Sequence, residues 1–114
     1  MIHSKHALKL LLGGCLLIVA ASSNAWSADA KAGKASYDKL CASCHGADGK
    51  GNPGMVKAMG EKGLNIVAKD VQAKKDDELL KIIVEGAGKM PASGKSLSAQ
   101  EQKDVLAYAR SLAK

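Results

Sequence analysis

Apolar positions recur along most of the chain with the period of helices, and no stretch shows the two-residue alternation of a half-buried strand. From Ala30 to Leu40 the apolar and small residues, Gly33 and Tyr37 among them, fall on one face and predict a helix. Leu79, Leu80, Ile82 and Ile83 form a second stripe, on a helix that Asp76 or Asp77 caps and Gly86 ends. A third helix opens on Ser98-Ala99-Gln100-Glu101, in the form of a capping box, and carries Val105, Leu106, Ala109 and Leu112 at helical spacing. All three stripes read as core. Between the first two, Gly46 to Gly54 holds four Gly and one Pro and predicts a loop. Val56 to Gly60 predicts a short helix, and Leu64-Asn65-Ile66 a connector whose apolar side chains turn inward. The expected class is all-α, without internal repeats.

At the N-terminus the pattern changes. Lys5 and Lys9 precede an apolar run from Leu10 to Ala21, and the small, polar Ser22-Ser23-Asn24-Ala25 follows. This three-part pattern is that of a secretory signal peptide over residues 1–25, and the run is shorter than the roughly 20 residues a membrane-spanning helix needs. Small-x-small sites at Ser23-Asn24-Ala25, Ala25-Trp26-Ser27 and Ala28-Asp29-Ala30 place the cut between residues 25 and 30, with the mature domain over 28–114. Leu12-Gly13-Gly14-Cys15 also has the form of a lipobox, in which Cys15 would carry lipid. The apolar Leu16-Leu17-Ile18-Val19 after it weighs against that anchored form.

With 114 residues, 46% hydrophobic and 25% charged, the chain makes one small domain, which excludes a multidomain enzyme. Aromatic residues are only 3%, with no Phe, so a core this thin calls for a staple or a prosthetic group. The formal charge is +6; the leader holds two Lys and no acid, so its removal leaves 15 basic and 11 acidic residues, net +4. His3, His6 and Cys15 leave with it. What remains is contiguous: Cys41-Ala42-Ser43-Cys44-His45.

Cys-x-x-Cys-His is the attachment sequence of c-type haem. Residues three apart on a helical turn share a face, so the thiols of Cys41 and Cys44 can each add to one haem vinyl group, and His45 then lies beneath the iron. A disulfide or thioredoxin-like pair belongs near a βαβ pattern, which is missing here. A structural zinc site needs four ligands, and this cluster offers three. For the iron's other side the mature chain has no second His, only the thioethers Met55, Met59 and Met90. Met59 shares its short helix with Val56 and reads as packing. Met90 follows Gly86-Ala87-Gly88-Lys89 and precedes Pro91, a stretch that lets backbone approach a flat ring, and is the favoured ligand. Another Met, or an open iron, are the other readings.

Across about Ala28 to Lys114, these residues resemble a class I cytochrome c of the small, single-haem bacterial kind. Cys-Ala-Ser-Cys-His-Gly at 41–46, Ala47-Asp48-Gly49-Lys50-Gly51, Lys89-Met90-Pro91 and the terminal Val105-Leu106-Ala107-Tyr108-Ala109-Arg110-Ser111-Leu112 carry the likeness. It implies an all-α cytochrome c fold, three to five helices wrapped around one covalently bound haem c. Cys41 and Cys44 would be the covalent links, and His45 and Met90 the axial ligands of iron. It also implies that the first and last helices cross at Gly33 with Tyr37, against Val105 with Tyr108. The family's Pro carbonyl that accepts from the ligating His has one candidate, Pro53. No Trp or Arg stands out for the haem propionates, since Trp26 lies at the cleavage region and Arg110 on the final helix.

The function implied is that of a periplasmic, monomeric one-electron carrier rather than an enzyme, because two axial ligands leave no position on iron for a substrate. Its partners would be redox proteins; Lys50, Lys57, Lys62, Lys89 and Lys95, near the segments expected around the haem, read first as solvated surface, and a ring that steers an acidic docking surface is the functional alternative. The mild net charge, offset by the propionates, does not point to nucleic acid, and no small-molecule substrate is expected. An electron-transfer subunit of a larger dehydrogenase or oxidase complex is the alternative, and a gas-binding or peroxidase-like haem protein a more distant one.

Overall fold

The computed structural model describes residues 13, 14 and 27–114; the expected leader apart from Gly13 and Gly14, with Cys15 and Trp26 included, lies outside them. The described residues form six α-helices: α1 (Ala30–Leu40), α2 (Ala42–His45), α3 (Pro53–Met59), α4 (Lys69–Gln72), α5 (Asp76–Glu85) and α6 (Ala99–Ser111), with a 3₁₀ turn at Ser93–Ser96 before α6. Among the described residues there is no strand, and no helix is long and apolar enough to cross a membrane. The count exceeds the expected three to five because two single turns of four residues each, α2 and α4, stand apart from their neighbours.

Local chemistry sets the boundaries. Asp29 caps α1, its carboxylate accepting from the amides of Lys31 at 2.9 Å and Ala32 at 3.2 Å. Ser98 caps α6 through Glu101 N at 3.1 Å. For α5 the expected cap is corrected: Lys75 is the capping residue, without a side-chain bond, and Asp76, Asp77 and Glu78 occupy the first turn. There their charges oppose the positive end of the helix dipole instead of bonding its amides. α3 starts earlier than Val56, because Asn52 caps it through Gly54 N at 2.9 Å and the fixed φ of Pro53 suits a first helical position.

The core sits where α1 crosses α6. A Cβ on Gly33 would collide with the backbone carbonyl of Asp104 and stand 2.8 Å from Val105 N, so only glycine lets the two backbones touch. Tyr37 and Tyr108 meet edge to face, with centroids 5.1 Å apart and planes at 61°. Tyr37, Val105 and Leu106 are buried here. So is Asp104, whose carboxylate accepts from Asp29 N and Gln100 Nε2, each at 2.8 Å, and ties the start of α1 to α6. The crossing is the one the resemblance implied.

The stripe of α5 departs from expectation. No residue of α5 is fully buried, and Leu79, Ile82 and Ile83 line a cavity rather than a protein core.

Candidate functional site

The cavity has a volume of about 680 Å³, within the range of ligand sites, and its walls come from every helix but α3's first turns. Leu40, Cys41, Cys44 and His45 line it together with Leu64 and Ile66 of the connector, Leu79, Ile82 and Ile83 of α5, Met90 with Pro91, and Val105 with Leu106. The polar atoms that reach it include no carboxylate: the charged lining residues are Lys62, Lys74, Lys89 and Arg110.

The Cys-x-x-Cys-His segment is held by its backbone. Cys41 ends α1 and precedes α2, its amide bonded to Tyr37 O at 2.8 Å. Beyond α2, Gly51 N donates to His45 O at 2.7 Å and Asn52 N to Cys44 O at 2.9 Å, closing the loop back on the motif. The Tyr37 hydroxyl donates to Gly46 O at 2.7 Å. Burial, then the neighbouring Cys41, pushes the Tyr37 phenol well above its ordinary value, so it stays protonated and keeps donating. Cys41 and Cys44 are half-buried free thiols, and burial followed by Cys44 pushes Cys41 up, which keeps it as the neutral thiol.

His45 is buried, and its Nδ1 lies 2.9 Å from the carbonyl oxygen of Leu64. A carbonyl only accepts, so Nδ1 carries the proton and Nε2 is left as the basic nitrogen. This is the arrangement in which a second partner orients a metal-binding imidazole and raises its basicity. The acceptor corrects the expectation for Pro53, which instead starts α3. The connector role of residues 64–66 was legible in the sequence. Which backbone oxygen faces His45 was not, since any residue type supplies a carbonyl.

Met90 is half-buried and lines the same cavity as Cys41, Cys44 and His45. It is presented by a tight turn in which Met90 N donates to Ala87 O at 2.9 Å and Ala87 N to Met90 O at 3.1 Å. Gly86 has φ 77°, and a Cβ there would stand 2.6 Å from Met90 O, so the glycine is needed for this turn more than for a close approach to a ring. Met59 also lines the cavity, contrary to its reading as packing, and is 36% exposed; Met55 is not part of the lining. Of the five lysines singled out, Lys62 and Lys89 reach the cavity, joined by the unanticipated Lys74. Arg110, set aside in the sequence, lines it as well.

Two thiols, an imidazole with its outer nitrogen held, a thioether and an apolar lining of this size fit a haem. The family model described as "Cytochrome C oxidase, cbb3-type, subunit III" matches residues 28–108. No curated protein matches the sequence.

Proposed function

We propose that this chain, which belongs to the cytochrome C oxidase, cbb3-type, subunit III family of class I c-type cytochrome domains, is a periplasmic one-electron carrier with a single covalently attached haem. Membership carries haem-based electron transfer as the coarse function. The observation that supports the finer reading is the convergence of Cys41, Cys44, His45 and Met90 on one apolar cavity. In this reading Cys41 and Cys44 would hold the haem through thioethers, and His45 and Met90 would ligate its iron. When bound, the haem supplies a reversible ferric/ferrous couple.

The chain's own residues shape that couple. Leu64 O fixes the imidazole tautomer, and the turn at 87–90 sets where the thioether sits. The apolar walls exclude water and disfavour the more highly charged ferric state, as does a soft thioether. Exposed Lys62, Lys74 and Lys89 at the cavity, without an acid in its lining, suit an acidic redox partner.

Protein produced with a cytochrome c maturation system should carry one haem per chain by mass and cycle reversibly in a redox titration. A chain that matures without haem, or cannot be re-reduced, sinks the reading. The family description favours one second reading, an electron-transfer subunit of a larger oxidase or dehydrogenase complex. Stoichiometric co-purification with a large subunit would replace free carriage with that role.

A further inference from the structure

The chain has 17 basic residues, and Arg110 is its one arginine. Its guanidinium makes four hydrogen bonds to residues more than thirty positions away in sequence. Nε donates to Asp76 Oδ1 at 2.6 Å, one terminal nitrogen to both Gln72 O and Gln72 Oε1 at 3.3 Å, and the other to Lys74 O at 2.7 Å. The bonds do not stop at Gln72. Gln72 Nε2 donates to Ile66 O at 2.7 Å, and Ile66 N to Gly49 O at 2.8 Å, in the loop that follows the Cys-x-x-Cys-His segment. Ile66 belongs to the connector whose Leu64 carbonyl holds His45 Nδ1 at 2.9 Å. Arg110, Gln72, Ile66 and Leu64 all line the cavity.

We infer that Arg110 and Gln72 are positioning residues for the histidine side of the haem, acting through a hydrogen-bond relay from α6 to the 64–66 connector; this rests on the haem reading above. The chemistry of the relay requires these side-chain types. A guanidinium presents donors in a rigid fork and serves Asp76, Gln72 and Lys74 at once, which the point charge of a lysine cannot do. An amide has both a donor and an acceptor, so Gln72 can receive from Arg110 and pass a bond on to Ile66. The Asp76 contact lies off this route. Asp76 is 67% exposed in its side chain, and its ion pair with Arg110 is of the exposed kind that contributes little.

The test compares haem-loaded wild type with R110K, Q72L and D76N by two readouts, the hyperfine-shifted haem methyl resonances of the ferric protein and the reduction potential. R110K and Q72L are expected to displace the methyl resonances, which respond to axial ligand orientation, and to shift the reduction potential, because a less firmly held imidazole is a weaker donor to the iron. D76N should match wild type in both. Q72L matching wild type in both readouts overturns the relay, even if its melting temperature falls, because lost stability alone does not reorient a ligand. D76N moving the spectrum as far as R110K also overturns it, by making the ion pair the active contact. A wild type without hyperfine-shifted methyls would defeat the haem reading itself, a separate outcome.

Discussion

Tyr37 combines burial, an aromatic contact and a hydrogen bond in one side chain, and its hydroxyl is the part whose effect can be isolated. Tyr37→Phe keeps the ring against Tyr108 and removes the bond to Gly46 O, which should cost about 1 kcal/mol at pH 7. The pH dependence has a definite sign. Burial raises the folded-state pKa above the unfolded value near 10, so the folded state favours the neutral phenol. The stability from this group is complete below pH 10 and is lost as pH rises beyond it. Denaturant titrations from pH 7 to 11 should show the gap between wild type and Tyr37→Phe closing above pH 10; a constant gap would contradict the assignment. At this scale the sequence was informative where residue type matters, as in the Cys-x-x-Cys-His segment. It was silent where a backbone atom does the work, which is why Leu64 O rather than a Pro carbonyl faces His45.

Two glycines decide how elements meet, for different reasons. Gly33 lies inside α1 without a positive φ, so helix propensity alone predicts that Gly33→Ala stabilises by about 1 kcal/mol. The added Cβ would strike the Asp104 carbonyl, and forcing rigid backbones apart costs at least the roughly 1–3 kcal/mol of ordinary overpacking. Contact should win, and thermal unfolding of Gly33→Ala should show a lower midpoint. At Gly86 the φ of 77° and the nearby Met90 carbonyl both oppose a side chain. Gly86→Ala should displace the Met90 turn and weaken or lose the thioether–ferric absorption band, a readout that separates ligand movement from simple loss of stability. The boundaries of α1 and α6 were legible because their caps are written in Asp29 and Ser98. The α4 turn was not, since Lys69–Gln72 has neither a capping side chain nor an apolar stripe.

Over the whole molecule, an amphipathic stripe does not reveal what covers it. The apolar face of α5 reads as core in sequence, yet three of its residues face a cavity of about 680 Å³, because periodicity records only that a face avoids water. The low aromatic content was the better signal, since it implied that something other than side chains completes the interior. Only Tyr37, Leu64, Val105 and Leu106 are buried hydrophobics among the described residues. The chain without haem should therefore lose much of its helical circular dichroism and unfold at lower temperature than the loaded protein; equal helicity and melting would show a self-sufficient core. The central claim, His45 and Met90 on one haem iron, is tested most directly by optical spectra of the matured protein in the ferric, ferrous, and ferrous carbon monoxide states. The account predicts a low-spin c-type spectrum with a weak far-red thioether–ferric band and no change on adding carbon monoxide. A high-spin ferric form, or ready carbon monoxide binding, would contradict it and leave Met90 off the iron.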